Sequence, residues 1–278
     1  MADFRTDRPA FEFHPGTAPL LVSMPHVGTH VPAGVHERLT DEAQQVPDTD
    51  WHLEQLYDFV RAMGASVLVA THSRYVVDLN RPPDGSSLYP GQSVTGLCPT
   101  DTFDDTPLYR DASLAPDEAE VAQRREAIWQ PYHTKLRDTL DAMRAEHGVA
   151  LLWDAHSIRS LLPRFFEGKL PDLNVGTGKG TSCADAMAQA VMQAAQPVGE
   201  ETYTSVLNGR FTGGYITRNY GKPERNVHAI QLEMTQSSYM QEALPFDYLP
   251  ERANAVQPVL QRMVSAAYEH ALAAASRA

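Results

Sequence analysis

Residues 150–157 read Ala150-Leu151-Leu152-Trp153-Asp154-Ala155-His156-Ser157. An apolar run passes straight into an acid, a histidine and a hydroxyl. That is the pattern of a buried strand delivering polar side chains to a sheet edge. Asp154 and His156 stand two apart, so on a strand they share a face. Three other stretches have the same grammar: Leu20 to His26, Tyr75 to Arg81 and Ala229 to Glu233. Ligands in open α/β sheets bind beyond the carboxyl ends of strands. Taken alone, His156 reads best as a hydrogen-bonded core histidine. With four such strand ends in one chain, a shared metal site becomes the better reading.

Outward from these strands the chain alternates. Trp51 to Val60 has apolar residues at helical spacing, with Asp48, Thr49 or Asp50 as N-cap and Gly64 as its end. Ser66 to Ala70 and Arg74 to Leu79 read as strands. Residues 82–116 are rich in Pro, Gly, Ser, Asp and Thr, and a loop that long is expected to be an active-site lid. Pro116 to Glu146 reads as helix with a kink or break at Pro131. A short strand is expected at Leu173 to Val175, a helix at Ala184 to Ala195, a hairpin turn at Gly213-Gly214 and a closing helix from Arg252 to Ala275. Strands alternating with helices predict one three-layer α/β/α domain over residues 1–278, with a mixed, mostly parallel central sheet.

Composition sets bounds. The chain has 278 residues, 42% hydrophobic and 21% charged, enough for one large α/β domain with a substantial core. A net charge of −12 repels phosphate backbones and argues against nucleic acid as a partner. It also means that an anionic substrate must be drawn by local arginines. Met1 to Pro15 lacks an apolar signal core, and no apolar run approaches membrane-span length. Cys98 and Cys183 make no disulfide framework and no CxxC pair. A cytoplasmic protein without membrane partner is the expectation.

The chemistry-bearing residues follow. A catalytic zinc takes three N/O ligands and keeps one open position. His26 and His156 end two strands, and a carboxylate from Asp48 or Asp50 would complete the set. Either acid also reads as a helix cap, but two side by side exceed what a cap needs. Glu233, between Leu232 and Met234, is costly on an apolar strand unless paired or functional. It is either a general base or half of a buried ion pair. Arg81, Arg159, Arg210 and Arg218 offer guanidinium forks for carboxylates. Gly176 to Thr181 imitates a phosphate loop but lacks the P-loop pattern, and no GxSxG elbow is present.

Several of these stretches, read together, resemble the N-formylglutamate amidohydrolase family. They are Ser23-Met24-Pro25-His26, Asp48-Thr49-Asp50-Trp51-His52, Ser73 to Pro82, Asp154 to Ser160, Asn208-Gly209-Arg210-Phe211 and Gly214 to Glu233. The family is itself similar to the zinc carboxypeptidase and aspartoacylase group. The resemblance runs over nearly the whole chain and implies that group's α/β/α fold. It implies one zinc ion held by His26 and His156, Asn80 and Arg81 as a carboxylate-binding pair, and Glu233 as the base. The group's His-x-x-Glu pattern is absent, because Thr29 stands three residues after His26. An acid at the next helix start is expected to replace it, Asp50 before Asp48. The implied activity is hydrolysis of N-formyl-L-glutamate, a small dicarboxylate, in histidine degradation. The rivals are a deacylase for another N-acyl acidic amino acid and a metal-free amino-acid-binding protein.

Overall fold

The computed structural model describes residues 4–87 and 94–275. Seven strands of the described residues form one sheet: β1 (Phe11–His14), β2 (Leu20–Met24), β3 (Ser66–Ala70), β4 (Ala150–Ile158), β5 (Leu173–Gly176), β6 (Ser205–Leu207) and β7 (Val227–Thr235). Their order is β1-β3-β2-β4-β7-β5-β6. The β3, β2, β4 and β7 pairings are parallel, as is β5 with β6, whereas β1 on β3 and β5 on β7 are antiparallel. The sheet is therefore mixed and mostly parallel, as expected. Among the described residues eight α-helices accompany it: α1 (Ala33–His36), α2 (Leu53–Leu56), α3 (Phe59–Ala62), α4 (Glu118–Arg124), α5 (Gln130–His147), α6 (Asp185–Ala194), α7 (Tyr215–Tyr220) and α8 (Pro250–Ala275). None of the described helices is long and apolar enough to cross a membrane.

Strand alternation makes the two cores and also places the site. Leu151, Trp153 and Ala155 of β4, with Ile230, Leu232 and Met234 of β7, pack in the core that holds Leu53, Met187 and Leu260. On the opposite face Leu21, Leu152 and Ala229 pack against Tyr132, Leu136 and Leu140 of α5. Two residues further along each of these strands, that second face turns polar. Ser23, Asp154, His156, Gln231 and Glu233 follow at the same parity, all of them buried. The parallel register sets Asp154 beside Gln231 and His156 beside Glu233.

Four local expectations are corrected. Arg74 to Leu79 is a run of turns, not a strand. Val76 N–H donates to the Ser73 carbonyl at 2.9 Å and Asn80 N–H to the Asp78 carboxylate at 2.9 Å, so local partners replace a ladder. Its apolar residues are buried on two sides, which imitates a strand in sequence. The Trp51 to Val60 helix is two single turns, α2 and α3, and no side chain caps either. Asp48 and Asp50 have longer-range partners instead. No hairpin forms at Gly213-Gly214. Gly213 has φ 106° and Gly214 leads into α7. A Cβ at Gly214 would fall 2.3 Å from the Asn80 amide, so glycine is required there by close approach. Pro131 does not break its helix, because a π-helical turn at Arg125–Trp129 carries the chain from α4 into α5. The wider turn accommodates a ring that would otherwise meet the carbonyl of Ala127.

Of the 82–116 stretch, residues 88–93 lie outside the described residues. The rest includes a single 3-10 turn at Ala112–Leu114 and pairs Leu39 with Tyr109.

Candidate metal centre

His26 lies just past the end of β2, and His156 is near the end of β4. The loop after His26 returns so that Asp50 N–H donates to the His26 carbonyl at 3.0 Å. That backbone bond carries the Asp50 carboxylate to the histidines. His26 Nδ1 and His156 Nδ1 are 3.1 Å apart. Asp50 Oδ2 lies 3.2 Å from His156 Nδ1 and 3.7 Å from His26 Nδ1. Tetrahedral ligands at ~2.0–2.2 Å from zinc stand about 3.3 Å apart, so the three atoms match that geometry. All three residues are at most 3% exposed, so water does not screen them.

The far side of each ring gives the stronger argument. His26 Nε2 is 2.7 Å from Asp78 Oδ1. His156 Nε2 is 3.1 Å from Asp154 Oδ2. Asn80 Nδ2 also lies 3.0 Å from His156 Nε2. With its proton held on Nε2 by the carboxylate behind it, each ring would turn an Nδ1 lone pair toward the other ring and Asp50, the tautomer a bound cation needs. Three converging acceptors repel one another unless a cation sits between them. The donor set therefore fits a metal ion. Without a metal a proton takes the cation's place: burial alone would favour a neutral Asp50, but hydrogen bonds from His156 and His26 outweigh it and hold its carboxyl well below the usual range, while against the cost of its burial His156 is raised by Asp154 and Asp50.

Asp48 does not join this group. Its Oδ2 accepts the Tyr75 hydroxyl at 2.6 Å and the Phe103 N–H at 2.8 Å. Neither acid is a helix cap.

Glu233 faces the same cavity, with Gln231 Nε2 donating to its Oε2 at 3.2 Å. Burial pushes its carboxyl up to about 8, and the neighbouring Asp50 and Asp154 carboxylates add to the rise against the opposing charges of His156 and Arg74. The cavity encloses about 60 Å³, and Asn80, Arg81 and Arg210 are in its wall. Asn80 does more than line it: its Oδ1 accepts the Ile216 N–H at 2.8 Å, which ties α7 to the site. Arg159 and Arg218 are not in the wall. Arg159 pairs with Asp104 at 2.7 Å, while Arg218 donates to the Gly213 carbonyl and Thr212 Oγ1, both at 2.8 Å.

The strand-end pattern points to neither Arg74 nor Asp78, yet both belong to the site. Arg74 lines the cavity, pairs with Asp78 at 2.8 Å and lies 3.7 Å from Asp50 Oδ1. Asp78 orients His26. Their signal was present as two opposite charges four residues apart, bracketing the apolar Tyr75-Val76-Val77.

Comparison with known proteins gives a consistent picture. The family model for N-formylglutamate amidohydrolase matches residues 18–240. An N-formylglutamate deformylase of Pseudomonas putida is 50% identical over 255 residues, covering 91% of this chain and 94% of the relative. One of Pseudomonas aeruginosa is 49% identical over 255 residues, covering 91% and 93%. Among solved structures, an N-formylglutamate amidohydrolase from Ralstonia eutropha JMP134 superposes with a TM-score of 0.78 at 22% identity, covering 95% of this chain and 97% of that one. That last likeness speaks for the fold, and the sequence matches speak for descent. On the strength of a match that spans most of its length, the chain belongs to the N-formylglutamate amidohydrolase family.

Proposed function

We propose that the chain is one metallohydrolase domain that hydrolyses N-formyl-L-glutamate to formate and L-glutamate, with zinc as its cofactor and histidine degradation as its setting. The observation that carries this reading is the convergence of His26 Nδ1, His156 Nδ1 and Asp50 Oδ2 beside a buried glutamate. The names of the two Pseudomonas relatives support the choice of substrate.

His26, Asp50 and His156 would hold the metal, with Asp78 and Asp154 fixing the ring orientations. A bound zinc supplies Lewis-acid polarisation of the formyl oxygen and lowers the pKa of water at the site from 15.7 to about 7. Glu233 takes the proton of the attacking water as the new C–O bond forms. It returns that proton to the amide nitrogen as the C–N bond breaks, releasing formate and the free amine. An acid poised near neutrality can do both. Arg81 and Arg210, in the cavity wall, bind the two substrate carboxylates as forks. Arg159 and Arg218 act one layer out, holding the loops that carry the wall. Residues 94–116 form part of the cover over the cavity.

The test is formate release from N-formyl-L-glutamate by the purified chain, before chelation, after it, and after zinc is restored. Loss and recovery support the reading. Full activity in the chelated, metal-free chain would refute the metal role, and no formate under any condition would refute the substrate.

A further inference from the structure

The cavity has a mixed lining. Polar groups, His26, His156 and Glu233, line it together with the apolar Phe103, Ile158 and Phe165. Phe103 and Phe165 meet edge to face with centroids 5.1 Å apart, and the Arg74 guanidinium lies 4.7 Å from the Phe103 ring centre.

Phe103 is held there by more than packing. Its N–H donates to Asp48, whose carboxylate is buried and also takes the Tyr75 hydroxyl. The turn around it is closed by Thr102 N–H to the Thr106 carbonyl at 2.8 Å and by the two threonine hydroxyls at 2.7 Å. Arg159 pairs with Asp104 at 2.7 Å and Arg164 with Asp105 at 3.3 Å, so both residues after Phe103 are anchored from the segment beyond β4. The Asp48 carboxylate, also 3.6 Å from Arg159, thus ties the Phe103 backbone to Tyr75 in the interior and fixes the turn's position.

We propose that Phe103, positioned by Asp48, sets the upper size of the acyl group that the site accepts, an inference that rests on the reaction proposed above. The scissile carbonyl carbon carries three groups. Its oxygen faces the histidines and Asp50, and its nitrogen leads towards Arg81 and Arg210. The third group, a hydrogen in a formyl substrate, is left to meet the apolar lining, where Phe103 stands. A hydrogen fits against a fixed ring, whereas a methyl must displace it, and the surrounding space is small. Phe103 is thus the specificity residue and Asp48 its positioning residue.

The experiment compares kcat/KM for N-formyl-, N-acetyl- and N-propionyl-L-glutamate in wild type, Phe103→Ala, Phe103→Leu, Asp48→Ala and Asp48→Asn. Phe103→Ala should raise the acetyl-to-formyl ratio at least tenfold, within the roughly 10–200-fold that one methylene decides. Phe103→Leu should raise it less, and serves alone if the alanine variant does not fold. Asp48→Ala should shift the ratio in the same direction, and Asp48→Asn should stay nearer wild type because its amide oxygen still accepts the Phe103 N–H. Simple structural damage lowers all substrates together and leaves the ratios fixed. Unchanged ratios in the Phe103 variants, with a wild type active on the formyl substrate, overturn the proposal. A wild type inactive on that substrate instead overturns the reaction, and the size gate with it.

Discussion

Replacing Glu233 by glutamine separates catalysis from stability, because the structure predicts opposite effects on the two. The carboxyl is 8% exposed and its ionisation is pushed from 4.5 up to about 8, first by burial and then by Asp50 and Asp154. A raised folded value means that the stability contribution is complete below 4.5 and is lost as pH rises through 8. At pH 7 the unfolded chain ionises Glu233 while the metal-free fold keeps it mostly protonated. At ~1.4 kcal/mol per pH unit, keeping the acid in its site costs on the order of 3 kcal/mol. Glutamine is nearly isosteric, can keep the Gln231 contact and carries no such penalty. In chelated protein at pH 7, Glu233→Gln should therefore raise the unfolding midpoint, at roughly 2–4 °C per kcal/mol for a chain of this size. The gain should vanish near pH 4 and shrink when metal is bound, since a cation offsets the cost of the carboxylate. Turnover should fall by about 10²–10⁴-fold, because an amide cannot take the water proton. The assays are thermal unfolding of chelated and metal-loaded protein at pH 4 and pH 7, with kcat per metal-loaded molecule. A lower midpoint at pH 7 in the chelated variant would show Glu233 to be half of a stabilising ion pair. Near-wild-type kcat would remove it from the chemistry.

Three further outcomes are expected. Asp50→Asn should weaken zinc binding in chelator competition far more than Asp48→Asn, since only Asp50 reaches the two Nδ1 atoms; the reverse order would transfer the ligand role. Asp78→Asn should lower zinc affinity by about 10–100-fold, because its amide oxygen still accepts the His26 Nε2 proton but the negative charge behind the ring is gone, and it should also lower the unfolding midpoint, since the buried Arg74 loses its carboxylate partner; unchanged affinity would reduce Asp78 to a partner of Arg74. Arg81→Lys should mainly raise KM, since lysine keeps the charge but loses the fork and the two bonds to Thr95, at 2.9 Å and 3.0 Å, that aim it; a wild-type KM would exclude Arg81 from carboxylate recognition.

What could be read from the sequence follows from how local each signal is. The central strands announce themselves because alternation is a property of neighbours. Leu152, Asp154 and His156 share a face in any β conformation, and so do Ala229, Gln231 and Glu233. The edge strands β1 and β6 have only four and three residues, too short for that pattern to stand out. The turn from Arg74 to Leu79 misleads for a different reason. Its apolar residues are buried by two separate cores, so it is as hydrophobic as a strand without being one. Its charges, Arg74 and Asp78, then look like interruptions when they are parts of the centre.

The choice between Asp48 and Asp50 shows where local reading ends. The two acids are alike in type, two residues apart and equally placed before a helix start. What divides them is a hydrogen bond from Asp50 N–H to the His26 carbonyl, which spans 24 residues of chain, and a second partner for Asp48 in Phe103, 55 residues away. Neither contact has a trace in the flanking residues. Both cost chain entropy to form and are stable only once the sheet has fixed His26 and the turn has fixed Phe103. One acid is thereby committed to the charge of the centre and the other to the shape of its wall. The same two-residue offset that leaves only a preference for Asp50 in sequence lets them serve both tasks, because the backbone between them turns and sends their carboxylates to different neighbours.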